Sequence, residues 1–171
     1  MEHDPTDSGA ALVGTMIDDR YRVDALLGVG GMGMVFRCHH LSLGRDVAVK
    51  LLHPQLLENE QISARFDREA VSTSRLEHPN VLRVLDFGNW TRPDTGAKTK
   101  YMVLQFLVGQ ELADFLIEPL GPERTIKLGL QIAKGLEHAH ERGIAHRDLK
   151  PENVFVTEDH DGKEQLKILD F

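Results

Sequence analysis

Gly28-Val29-Gly30-Gly31-Met32-Gly33 lies between two runs of strand-forming residues, and that placement constrains the fold more than any other stretch of the 171-residue chain. Missing β-carbons let backbone N–H groups approach phosphate oxygens. The spacing Gly28-x-Gly30-x-x-Gly33 also occurs in dinucleotide-binding turns, but those open a helix and are followed by an acidic residue at the end of the next strand. Here Val35-Phe36-Arg37-Cys38-His39 follows, and the next strand-like run, Asp46-Val47-Ala48-Val49-Lys50-Leu51-Leu52, carries a lysine near its end. With Tyr21-Arg22-Val23-Asp24-Ala25-Leu26-Leu27 before the glycines and Leu41-Ser42-Leu43-Gly44 as a second turn, the pattern predicts an antiparallel meander. A glycine-rich hairpin lying over a nucleotide fits this context better than a dinucleotide turn.

A helix is predicted over residues 60–76, where Ile62, Phe66, Ala70, Thr73 and Leu76 recur at helical spacing and Glu69 lies beside the inward face. His78-Pro79-Asn80 breaks the pattern. Strands follow over 81–87 and 101–106, joined by a loop at 89–100 that contains Pro93, Asp94 and Gly96. Beyond Gly109 the chain turns helical, over 111–117 and 122–142, the longer helix opened by Pro122-Glu123 and closed by Gly143. A small hairpin, 154–157 with 165–169, turns at Asp161-Gly162. Residues 1–20 are expected as a flexible tail. The change from strands to helices near Leu107 predicts one lobe over 21–107 and a second over 108–171.

The net charge of −7 argues against general nucleic-acid binding and against a polybasic membrane anchor. Cys38 is the only cysteine and has no internal disulfide partner, which points to a reducing compartment. No apolar run approaches the roughly 18 residues of a membrane span, and the N-terminus lacks the pattern of a signal peptide. A cytoplasmic location is expected.

Lys50, in a strand with apolar neighbours, reads alone as an edge lysine snorkelling to solvent. After a phosphate-compatible loop and before a helix bearing Glu69, it reads better as a phosphate ligand held by that carboxylate. His146-Arg147-Asp148-Leu149-Lys150-Pro151-Glu152-Asn153 gathers a proton-accepting carboxylate, an ammonium and an amide oxygen within eight residues, and Asp170-Phe171 ends the chain. The histidine pairs His39-His40 and His138/His140 lack companion ligands at metal spacing, so no metal site is expected there.

These groups, in this order, resemble the Hanks-type protein kinases, and Gly30-Gly31-Met32-Gly33, Arg68-Glu69-Ala70 and Leu149-Lys150-Pro151-Glu152-Asn153 resemble the bacterial serine/threonine branch. The resemblance implies an α+β, bilobal fold: a five-stranded antiparallel N-lobe sheet with one regulatory helix, then a mainly helical C-lobe of which only part is written. It also implies that ATP and Mg²⁺ (or Mn²⁺) are the cofactors and that protein serine and threonine hydroxyls are the acceptors. Asp148 would orient the hydroxyl and accept its proton, and Lys150 would neutralise the transferred phosphate. Lys50 would contact the α- and β-phosphates and pair with Glu69, while Asn153 and Asp170 would supply oxygens to the metal. Leu27, Gly28, Val29, Gly30, Gly31, Met32 and Gly33 would lie over the nucleotide. Val35 and Ala48 would cover adenine, with Leu104 as gatekeeper and Gln105 and Leu107 offering backbone groups to the base. His146 would brace the loop, Arg147 would read a phosphorylated activation loop, and Phe171 would pack beneath the regulatory helix.

The sequence departs from the family where it stops, before the glycine that follows Asp-Phe and before the activation segment. It is read as the N-terminal portion of a kinase catalytic domain, inactive by itself. The alternatives are a short product that binds nucleotide or a partner without phosphotransfer, and a chain completed by another. Dimerisation is left open.

Overall fold

The computed structural model describes residues 9–171, so residues 1–8 of the expected tail lie outside the described residues. The chain divides into two compact units, Met1–Ala70 with Val84–Phe106 and Val71–Arg83 with Leu107–Phe171.

The first unit is built on a sheet of β1 (Met16–Ile17), β2 (Tyr21–Val29), β3 (Gly33–His40), β4 (Arg45–Leu52), β5 (Val84–Thr91) and β6 (Lys98–Gln105). Their spatial order is β1-β2-β3-β4-β6-β5, and every neighbouring pair is antiparallel. The expected five strands are present, and β1 adds a two-residue edge. Helices α1 (Pro54–Leu57) and α2 (Glu60–Ser74) separate β4 from β5. Alternation sorts the side chains. Met34, Phe36 and Cys38 of β3 join Val47, Val49 and Leu51 of β4 in a core with Tyr21, Val23, Trp90, Tyr101 and Val103. Within it, burial pushes the Cys38 thiol up to about 12. The intervening residues lie on the opposite face, where the register sets Val35 against Lys50 and Ala48 against Leu104.

A flexible tail through residue 20 is not what residues 9–20 form. Leu12 and Ile17 are fully buried in the same core. Tyr101 and Arg20 both donate to Asp18 Oδ2, at 2.8 and 2.7 Å, and Arg20 also lies 2.7 Å from Asp86 Oδ2, which accepts the Tyr21 hydroxyl at 2.9 Å. Two isolated apolar anchors make no periodic signal, so their burial is a tertiary event that local pattern does not report.

The second unit contains β7 (Gly109–Glu111), α3 (Leu112–Phe115), α4 (Pro122–His140), a 3₁₀ turn at Pro151–Asn153, β8 (Val154–Glu158) and β9 (Glu164–Ile168). Its strands are ordered β7-β8-β9. Residues 109–111, expected to lead into helix, instead pair with β8. Helix α4 begins at Pro122, whose missing N–H costs nothing in the first turn. It ends at His140, and three residues on Gly143 adopts φ +72° while the Gly143 and Ile144 N–H groups return to the carbonyls of His140 and Ala139. Leu128, Ile132 and Leu136 turn one face of α4 toward Leu112, Val154, Val156, Leu166 and Ile168. Full burial of such a side chain contributes about 1.5–3 kcal/mol. On that face a β-carbon at Gly135 would stand 2.8 Å from Ile168 Cδ1 and 3.0 Å from the Asn80 carbonyl, so its absence permits the close approach.

The run at 81–87 is not one strand. Val81 bridges Ile168 in parallel, Leu82 N–H donates to the Ile168 carbonyl, and Ile168 N–H donates to the Asn80 carbonyl; the strand proper begins at Val84. Residues 71–83 therefore belong by their contacts to the second unit, and the expected boundary at 107 misses this segment. Buried Asn80 completes the join, donating to Gln131 Oε1 at 2.8 Å and to the Leu166 carbonyl at 2.9 Å.

Candidate functional site

In the first unit the glycine run forms a tight hairpin between β2 and β3. Gly30 N–H donates to the Gly33 carbonyl at 2.8 Å, and Gly33 N–H returns to the Gly30 carbonyl at 3.3 Å, leaving Gly31 and Met32 at the tip. Gly33 tolerates no side chain, since a β-carbon there would sit 1.9 Å from the Leu51 carbonyl oxygen. Around Gly28 and Gly31 the space is open, and Leu27 and Val29 are exposed on β2. Register gathers Gly28, Val35, Ala48, Lys50 and Leu104 on the sheet face opposite the core. Gln105 ends β6 on the same sheet, and Leu107 follows in the chain, half-buried.

Lys50 Nζ lies 3.0 Å from Glu69 Oε1, and both side chains are nearly buried, at 14 and 12 % exposure. A second pair, Lys100 with Asp67, ties α2 to β6. The snorkelling alternative for Lys50 is thereby excluded, because its ammonium is turned inward to a carboxylate.

In the second unit the residues around Asp148 are fixed mainly through the backbone. His146 is buried, its Nε2 is 2.6 Å from the Leu169 carbonyl, and its ring lies 4.8 Å from that of Phe171. Because a carbonyl only accepts, His146 Nε2 carries a proton. Asp148 N–H donates to the His146 carbonyl across Arg147, which adopts φ +63°. Lys150 Nζ lies 3.1 Å from Asp148 Oδ2, and Asn153 Nδ2 donates to the Asp148 carbonyl at 2.8 Å and to Oδ2 at 3.2 Å. The Lys150 contact first, then the Asn153 hydrogen bond, holds the Asp148 carboxyl below the usual carboxylate range. With its nitrogen turned to Asp148, Asn153 keeps Oδ1 as the side-chain oxygen that could face a cation. Leu169 N–H donates to the Asn153 carbonyl at 2.9 Å, which brings the adjoining Asp170, at φ +49°, to the same turn. An amide oxygen and a carboxylate are both hard-oxygen donors, the type that a hard divalent cation takes.

Sequence reasoning overlooked His53. Its N–H donates to the Met32 carbonyl at 3.0 Å, and its Nε2 lies 3.0 Å from the Gly30 carbonyl, so it grips the glycine hairpin from the end of β4. A lone histidine after a strand carries no motif; only the β3–β4 register would have brought it forward. His39 also departs from expectation, because it does acquire companions. It lies 3.0 Å from Asp46 Oδ1, with Asp24 at ligand spacing. Arg22, however, already engages both Asp24 oxygens and holds that carboxyl below its usual range.

Residues 21–171 match the family model described as the protein kinase domain. The chain is 43% identical over 161 residues to the serine/threonine-protein kinase pkn3 of Myxococcus xanthus, a match covering 93% of this chain and 28% of that protein. It is 33% identical over 162 residues to the serine/threonine-protein kinase PrkC of Bacillus subtilis, covering 94% and 24% respectively. It thus spans about a quarter of the length of these relatives. The crystal structure of the Mycobacterium tuberculosis PknI kinase domain aligns with a TM-score of 0.75 at 28% identity, covering 92% of this chain and 61% of that one. Among the described residues, no helix is long and apolar enough to cross a membrane.

Proposed function

The chain belongs to the protein kinase family, and on that premise we propose that it serves ATP-dependent phosphoryl transfer to serine and threonine hydroxyls of proteins. The observation that carries this reading is the setting of Asp148, a carboxylate kept ionised by Lys150 and oriented by Asn153. An ionised carboxylate aligns an incoming hydroxyl and accepts its proton as the oxygen attacks phosphorus. Lys150 offsets charge on the transferred group, and Lys50, steadied by Glu69, holds the remaining phosphates. Gly28, Gly30, Gly31 and Gly33 bring main-chain donors close to those phosphates, flanked by Leu27, Val29 and Met32. Val35, Ala48 and Leu104 supply an apolar surface for adenine, with Gln105 and Leu107 binding its edge through main-chain groups. Asn153 and Asp170 would hold Mg²⁺, or Mn²⁺, which when bound neutralises phosphate charge. Positioning and charge neutralisation do most of the work, because phosphoryl transfer asks little covalent chemistry of the protein.

In any protein that carries this chain, Asp148→Asn is expected to lower serine/threonine phosphotransfer by about 10²–10⁴-fold. Mg-ATP affinity should change little. Radiolabel transfer from γ-³²P-ATP and calorimetric titration read the two effects. Nucleotide binding with no Asp148-dependent transfer would replace the enzyme reading with that of a nucleotide-binding module.

A further inference from the structure

We infer that His53 is a positioning residue for the glycine hairpin, aiming a backbone donor at nucleotide phosphate; the phosphate clause rests on the nucleotide reading above. Gly30's carbonyl can only accept, so the imidazole nitrogen 3.0 Å from it must carry a proton, which makes the neutral ring the Nε2–H tautomer. The main chain of His53 donates to the Met32 carbonyl at 3.0 Å. One residue thus engages two carbonyls of the hairpin tip.

The consequence follows from peptide planarity. In a trans peptide the carbonyl and the next N–H point in opposite directions. With the Gly30 carbonyl turned to His53, the Gly31 N–H is directed away from it. The Gly30 and Gly33 N–H groups are spent within the turn, whereas Gly31 stands at its tip, where even a β-carbon would meet nothing within 4 Å. Without the imidazole, the Gly30 carbonyl keeps only the 3.3 Å bond from Gly33, and the orientation of the 30–31 peptide is less tightly held.

Nuclear magnetic resonance on the 171-residue chain tests this without ligand. The His53 ring nitrogens should report the Nε2–H tautomer. In His53→Leu, amide exchange at Gly30 and Gly33 should rise about three- to tenfold, the size of a lost exposed hydrogen bond. His53→Gln, whose side-chain amide can donate to the same carbonyl, should restore protection. An Nδ1–H tautomer, or exchange unchanged in His53→Leu, overturns the positioning role. Calorimetry with Mg-ATP and with adenosine then separates the two claims. His53→Leu should weaken Mg-ATP by about the same factor and leave adenosine unchanged, with His53→Gln rescuing. Equal weakening of both ligands overturns phosphate positioning. Failure of the unsubstituted chain to bind either ligand overturns the nucleotide reading, and the phosphate clause with it, while the tautomer and exchange results still decide whether His53 orders the hairpin.

Discussion

Lys50 and Glu69 in the first unit are nearly buried and meet at 3.0 Å, whereas Asp148 and Lys150 in the second meet at 3.1 Å with about half of each side chain open to water. The buried pair is held by where a strand and a helix place it, and low local dielectric strengthens its attraction while making either partner costly alone. The exposed pair gains little from Coulomb attraction in water. Its geometry comes instead from His146, the 3₁₀ turn and the left-handed residues Arg147 and Asp170. Sheet register organises one set of reactive groups and loop conformation the other.

That contrast can be tested unit by unit. Ile168→Ala should have the largest effect on stability, about 2–5 kcal/mol in denaturant melts, because Ile168 lies in the second unit's core against Gly135 and hydrogen-bonds through its main chain to Asn80 and Leu82. A loss below 1 kcal/mol would mean that this core does not support the loop. Next, Glu69→Ala is expected to cost about 1–3 kcal/mol, and the double variant with Lys50→Met less than the sum of the single changes. Additive losses would show that burial does not couple the pair. Arg147→Gly should be near neutral or stabilising by up to about 1 kcal/mol, since glycine adopts φ +63° without strain. A clear loss would mean that the side chain, not the backbone, holds the turn.

The smallest expected effect is a pH response confined to the second unit. Burial, then the neighbouring His138, Lys134, Lys167 and Arg142, depress the His78 pKa. Its folded-state value lies below the unfolded value near 6.5, so its contribution is complete above that pH and is lost as pH falls through the folded-state value. His78→Gln should flatten that slope in melts between pH 7 and 5; an unchanged slope would discount this histidine.

The glycine hairpin, the lysine strand and the helix carrying Glu69 were legible because period and turn chemistry are local. The 146–153 run was legible as a motif, through the residue types its chemistry requires. His53 was not, because its role arises from ladder geometry. Nor was the attachment of 71–83 to the second unit, since Val81 and Asn80 find their partners more than 80 residues away. The anchoring of Leu12 and Ile17 escaped for the same reason: isolated apolar residues declare themselves only once a core exists.

Cys38 turns the first unit into its own clock. A thiol this deeply buried and this weakly acidic presents almost no thiolate to a labelling reagent at neutral pH while the sheet is closed. The chain has no other sulfhydryl to confuse the signal. Each labelled molecule therefore marks an opening of the strand beside the glycine hairpin, and when the reagent outpaces reclosing the labelling rate under native conditions counts how often that happens.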